Sequence, residues 1–215
     1  MTLSVDLYWS FRSPYSYLAT PRLRAMAQTF DLDINLRPVY PLAIRTPDFF
    51  GDLDPLWVPY LIRDTFRIAE REHLPYGRPN PDPVIMDMAT RKVSPDQPYI
   101  RRLTRLGVAA VEQGIGMDFI YEVATLIWSG DVNWTEGTHL SDAVARAGGD
   151  LAAMDAAVTA RAEELDAIIE KNQVAQREGG HWGVPLMVFE GEPFFGQDRI
   201  DDLVWRMQQQ GLEAR

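Results

Sequence analysis

Residues 5–11 alternate little and are dominated by β-branched and aromatic side chains, a run that stops at Ser13-Pro14 and predicts a strand there. Ser13 is a good N-cap and Pro14 suits the first helical position. Leu18, Leu23, Met26, Ala27 and Phe30 then recur at helical spacing as far as Asp31. Residues 34–39 form a second apolar run, too far from the first for a hairpin, so the opening predicts a right-handed crossover joining two parallel strands. From 41 to 98 the prolines crowd among Phe49, Phe50, Trp57, Tyr60, Phe66 and Tyr76, which predicts a loop-rich wall with one helix over 57–72. Helical periodicity returns over 96–113, 118–129, 142–147 and 151–177. After Gly179-Gly180 come two short apolar runs, 186–189 and 193–195. Glu190-Gly191-Glu192 between them signals a hairpin, and a final helix is expected from about Asp198 to Gln210.

The assembled order is β-α-β, a helical block, then β-β-α. It predicts an α/β chain with a thioredoxin-like fold and a large all-helical insertion: residues 1–45 and 178–215 the discontinuous thioredoxin-like domain, residues 46–177 the insertion. With 215 residues, 46% hydrophobic and 11% aromatic, the chain can bury a sizeable core, and at roughly 150 residues per domain it suits one enlarged domain better than two. Acidic residues outnumber basic ones, 31 to 21, for a net charge of −10 with no Lys/Arg run to offset it, so nucleic acid and anionic membranes are excluded as expected partners. Cysteine is absent. Disulfides, thiolate metal sites and redox chemistry through the protein's own thiols are thereby ruled out, and any sulfur chemistry must come from a ligand. The first residues lack a basic leader followed by an apolar stretch, and no segment approaches the roughly 18 apolar residues of a membrane span, so a cytoplasmic protein is expected.

Three short segments carry candidate chemistry. Ser13-Pro14-Tyr15-Ser16 lies where the first strand hands the chain to the first helix, and both outer positions are hydroxyls. One reading is a Ser-Pro cap. The other is an anion site at a helix N-terminus, where free N–H groups and a serine hydroxyl stabilise a bound thiolate. Gly183-Val184-Pro185 precedes an apolar strand, so Pro185 is either an ordinary edge-strand proline or, if its peptide bond is cis, the residue that turns the Val184 backbone outward to pair with an extended peptide. In Phe195-Gly196-Gln197-Asp198-Arg199, Asp198 stands where the last helix should begin. It serves either as a cap or, with Gln197, as a holder of a ligand's ammonium and carboxylate.

SPYSYLA from Ser13, GVP from Gly183 and FFGQDRI from Phe194 together resemble the 2-hydroxychromene-2-carboxylate isomerases and their relatives the kappa-class glutathione transferases, a branch of the DsbA-like thioredoxin group. Tyr60-x3-Asp64-x2-Arg67, Leu74-Pro75 and Trp128 are similar to that family too, so the resemblance spans nearly the whole chain. It implies a glutathione-dependent isomerase of aromatic compound catabolism, interconverting 2-hydroxychromene-2-carboxylate and trans-o-hydroxybenzylidenepyruvate, and a homodimer. By the same resemblance Ser13 hydrogen-bonds the glutathione sulfur, Val184 before Pro185 pairs with the cysteinyl backbone, and Gln197 with Asp198 holds the γ-glutamyl end. Arg45 stands in for a family lysine in a run, residues 43–50, that lacks the family's asparagine.

Arg12 and Arg45 are the nearest basic candidates for an anionic substrate, with Arg63 and Arg67 behind them. Phe49, Phe50 and Trp57 are either core or the lining of an aromatic-substrate pocket. His73, His139 and His181 are scattered without partners at ligand spacing, so no metal site is expected, although His181 nears the GVP segment. Glu163-Glu164 and Asp201-Asp202 read as solvated charges. Two other functions use the same features: a kappa-like transferase or peroxidase that consumes its thiol, and a non-catalytic thioredoxin-like binder of extended peptides.

Overall fold

The computed structural model describes residues 2–46, 49, 53–87, 90 and 92–215. Strand β1 (Leu3–Trp9) leads through Ser13 into helix α1 (Pro14–Thr29), and β2 (Leu32–Pro38) returns parallel to β1 with Leu36 opposite Leu7. Strand β3 (Leu186–Phe189) runs antiparallel on the other side of β1, and β4 (Glu192–Phe195) pairs antiparallel with β3, giving the order β2-β1-β3-β4. This is a thioredoxin-like sheet, and helices fill the chain between β2 and β3. They are α2 (Leu42–Arg45), α3 (Trp57–Arg71), α4 (Pro98–Glu112), α5 (Gly116–Ser129), α6 (His139–Arg146), α7 (Leu151–Ala160) and α8 (Ala162–Glu178). A 3-10 turn (Gln197–Arg199) precedes α9 (Ile200–Gln209). Among the described residues no helix is long and apolar enough to cross a membrane.

The sheet's register decides where the chemistry gathers. Tyr8, near the carboxyl end of β1, is paired with Leu186, the first residue of antiparallel β3. The loop entering β3, which contains Pro185, therefore sits beside the loop leaving β1, which contains Ser13. Both ends are anchored by buried aromatics. Trp9 is fully buried and its Nε1 donates to the Ser16 carbonyl and the Thr20 hydroxyl, both at 3.0 Å. Phe11, also fully buried, packs edge-on against Trp9, and burying such a side chain contributes roughly 1.5–3 kcal/mol. Trp128 of α5 donates its Nε1 to the Phe11 carbonyl at 3.1 Å and lies parallel to both Tyr17 and Tyr76, which also face each other, tying the inserted helices to the start of α1.

Two elements differ from the periodicity. The helix expected over 151–177 is two helices, broken at Arg161 (φ −113°, ψ 22°), whose guanidinium holds Glu112 of α4 at 2.7 Å and Glu164 at 2.7 Å. The short α2 after Pro41 was not signalled at all, since four residues offer no period to detect. The hairpin is the expected one: Glu190 (φ 50°) and Gly191 (φ 81°) both take positive φ, as a two-residue type I′ connection requires, while Glu192 joins β4.

Candidate functional site

Ser13 adopts an extended backbone (φ −112°, ψ 114°) and caps α1, its Oγ accepting from the Ser16 N–H at 3.2 Å. The same hydroxyl donates to the Val184 carbonyl at 3.2 Å, a pairing open to a group that both donates and accepts. No acidic residue occupies the first turn of α1, so nothing local offsets the positive end of its dipole. The Val184–Pro185 bond is cis. Among the described residues no acceptor engages the Val184 N–H, which leaves a donor at the edge that faces Ser13's helix terminus.

The segment before Pro185 is braced from three directions. Gly183 donates its N–H to His181 Nδ1 at 2.9 Å, and its carbonyl accepts from Gln176 Nε2 of α8 at 2.6 Å. The imidazole lies over the Phe195 ring with centroids 3.8 Å apart, and burial lowers its pKa from the ordinary histidine value. A Cβ at Gly183 would stand 2.4 Å from that same Phe195 ring, so any larger residue here must displace the ring and the imidazole stacked on it. On the far side the Gly196 N–H donates to the Pro185 carbonyl at 3.0 Å, and Gly196 itself takes φ 107° to make the turn. His181 is thus part of the bracing of the GVP segment; sequence proximity hinted at it, but only packing assigns its partner.

Gln197 is 9% exposed and Asp198 is exposed, side by side in the 3-10 turn after β4. The Gln197 carbonyl accepts from Arg22 of α1 at 3.3 Å. Neither the turn nor α9 has a side-chain cap; Asp198 pairs instead with Arg199 at 3.3 Å. Of the two readings of Asp198, the cap is not the one adopted.

The basic candidates are placed differently from one another. Arg12 pairs through Nε with Asp82 at 2.5 Å and lies over Trp128 at 5.9 Å, so its charge is compensated by a carboxylate 70 positions away. Among the described residues Arg45 has neutral acceptors only, Gln176 Oε1 at 2.8 Å and the Trp182 carbonyl at 3.1 Å, and its Nε is buried without one. Burial first, then the nearby Arg177 charge, brings its pKa down to about 10. Arg67 pairs with Asp64, whose other oxygen accepts from Tyr15 at 2.8 Å; burial and that hydrogen bond raise the Tyr15 pKa, keeping it a donor. The Phe49 ring meets Trp182 at 5.3 Å, edge to face, beside the GVP segment. Trp57, 39% exposed, opens α3, and Tyr60 and Phe66 of the same helix are exposed as well. Phe50 lies outside the described residues. The structure therefore brings together Ser13, Val184, Pro185, Gln197 and Asp198, with Arg12 and Phe49 on neighbouring loops. Asp82, Gln176 and Trp182 were missed, because their roles arise from contacts across long sequence separations.

Comparison with protein families matches residues 4–208 to the DsbA-like thioredoxin domain. Among solved structures, a 2-hydroxychromene-2-carboxylate isomerase superposes with a TM-score of 0.71 at 23% identity, covering 96% of this chain and 95% of that one. A probable DsbA oxidoreductase from Streptomyces coelicolor gives 0.68 at 15% identity, with 96% and 89% covered. The cytosolic disulfide reductase DsbM from Pseudomonas aeruginosa, in a structure with glutathione, gives 0.62 at 18% identity, with 97% and 98% covered. Comparison with curated protein sequences yields no match.

Proposed function

Since the chain belongs to the DsbA-like thioredoxin family and contains no cysteine, we propose that it is an isomerase that works with a borrowed thiol, glutathione, on an aromatic unsaturated keto acid of the 2-hydroxychromene-2-carboxylate type. The observation that carries this is the Ser13 hydroxyl, set at the N-terminus of α1 and 3.2 Å from the Val184 carbonyl where a family thiol would otherwise stand. The residues fit a tripeptide thiol. Val184 offers an unengaged N–H beside its carbonyl, and Asp198 offers an exposed carboxylate for an ammonium group.

Glutathione, when bound, supplies a thiolate that adds reversibly to the unsaturated carbonyl compound, permits rotation or ring opening and leaves unchanged. The chain's part is to keep that sulfur ionised. Lowering a thiol pKa from about 8.5–9 towards neutrality takes about 2–3 kcal/mol. The α1 terminus contributes about 0.3–1 kcal/mol, up to ~2 when partly buried, and a hydrogen bond from Ser13 to a charged atom ~1.5–3 kcal/mol. Together they are sufficient. Val184 orients the ligand backbone, Gln197 and Asp198 hold its far end, and Phe49 and Trp57 offer apolar surface to an aromatic ring while Arg12, its charge balanced through Nε by Asp82, offers its terminal guanidinium N–H groups to the carboxylate as hydrogen-bond donors. In this reading residues 1–45 with 178–215 form the thiol-binding side and residues 46–177 the substrate side.

The test is a thermal-shift titration with glutathione, followed by incubation with the chromene carboxylate and quantitation of both product and free thiol. Ligand at 100 times Kd stabilises by about 2.7 kcal/mol, a shift of a few degrees for this size. The proposal expects that shift, conversion to the trans isomer and full recovery of glutathione. Consumption of the thiol would replace isomerisation by transfer or peroxidation; no shift at millimolar glutathione would end the borrowed-thiol reading altogether.

A further inference from the structure

Three arginines line one cleft of about 530 Å³, Arg45 of α2, Arg101 of α4 and Arg177 of α8, together with Tyr40, Ile44, Gln173 and Glu170; none of Ser13, Val184, Pro185, Gln197 and Asp198 is part of its wall. In an acidic chain whose arginines are mostly ion-paired, these three have no carboxylate within salt-bridge distance among the described residues. The one further carboxylate on the cleft, Asp166, is already neutralised: Arg105 grips it through two bonds of 2.8 and 2.6 Å and the Tyr40 hydroxyl donates to it at 2.7 Å. Among the described residues Glu170, which accepts from Gln173, is thus the one carboxylate of the cleft without a guanidinium partner. A buried donor without an acceptor is costly, and Arg45 Nε is such a donor.

We propose that this cleft is a second binding site, separate from Ser13, for a small anion bearing a phosphate group, and that Arg45 communicates its occupancy to the GVP segment. A single guanidinium fork satisfies one carboxylate; Arg101 and Arg177 supply two forks from exposed positions on α4 and α8, and Arg45, held by Gln176 and the Trp182 carbonyl, adds a third positive charge, a set that suits a multiply charged oxyanion. The route to the other site is short and runs through hydrogen bonds. Arg45 binds Gln176 Oε1 and the Trp182 carbonyl, while Gln176 Nε2 binds the Gly183 carbonyl, two residues before Pro185. Drawing Arg45 towards an anion shifts both partners.

Inorganic phosphate and pyrophosphate are the probes, titrated calorimetrically at low ionic strength, where screening is weak. The parent is expected to bind one equivalent saturably. Arg101→Glu and Arg177→Glu, both at exposed positions and so tolerant of folding, each weaken binding by at least about tenfold. Ser13→Ala leaves it unchanged. Phosphate alters tryptophan emission in the parent and not in Trp182→Phe. Absence of saturable binding, indifference to both charge reversals, or loss of binding in Ser13→Ala would overturn the site. An emission change that persists in Trp182→Phe, or none in the parent, would overturn the link to the GVP segment.

Discussion

Replacing Ser13 by alanine separates two jobs that one hydroxyl performs. As a cap it accepts from the Ser16 N–H at 3.2 Å, the long end of the ordinary range, so the cost belongs in the lower half of the about 0.5–2 kcal/mol usual for cap removal. About 1 kcal/mol translates to a melting temperature lower by roughly 2–4 °C for a chain of this length. As a donor to sulfur its loss is larger and appears elsewhere. A hydrogen bond to a charged group is worth ~1.5–3 kcal/mol, and at 1.36 kcal/mol per pKa unit the bound thiol should rise by roughly 1–2 units. Thiolate absorbance of the glutathione-saturated protein, followed across pH, reads that rise directly, while calorimetry of the free protein reads the cap together with the bond to the Val184 carbonyl. Ser13→Thr retains a hydroxyl and should recover most of the thiol shift. Superimposable thiolate titrations for parent and alanine variant would mean that the α1 terminus alone activates the thiol, and Ser13 would return to being a cap.

Three further outcomes follow from the same geometry. Asp198→Asn should weaken glutathione binding with little loss of stability, because Asp198 caps nothing and its exposed carboxylate, held only by an equally exposed pairing with Arg199, can turn to an ammonium; equal affinity in calorimetric titration would remove it from the site. Gly183→Ala should destabilise by about 1–3 kcal/mol, since its Cβ would press into the Phe195 ring and the stacked imidazole; Phe195→Ala should relieve much of that loss in the double variant, and additive denaturation midpoints would refute the contact. His181 accepts the Gly183 N–H only when neutral, and its folded pKa lies below the ordinary value of about 6.5, so the unfolded chain binds the extra proton first. Stability is then full above about pH 6.5 and declines as pH falls through the folded pKa; urea unfolding from about pH 8 to about pH 5 should show this slope in the parent and a shallower one in His181→Asn, and identical slopes would refute it.

What the sequence made legible divides by range. Ser13-Pro14 announced its helix because cap and first-turn proline act within a few residues, and the cap bond is found where those two residues put it. Glu190-Gly191 announced its turn for the same reason. Pro185 was legible as a strand entry; its neighbour Ser13 became legible only through the order of elements, since a parallel crossover followed by antiparallel β3 must bring the two loops to one end of the sheet. Arg161 shows the opposite case. Nothing in an Ala- and Glu-rich stretch free of glycine and proline breaks a helix, and the break arises where that guanidinium satisfies Glu112 on another helix. The arginines expected near the substrate divide on the same principle. Arg12 and Arg45 are both basic and near the motifs in sequence, yet a distant Asp82 compensates one while α8 leaves the other among neutral acceptors. Residue type and spacing therefore located the candidate chemistry, whereas the free or compensated state of each charge was decided by partners 70 and 131 positions away. For a chain of net charge −10 that state determines where an anion can be held, and among the described residues it is Arg45, Arg101 and Arg177, with no carboxylate at salt-bridge distance, rather than the arginine next to Ser13, that bring positive charge to a cleft.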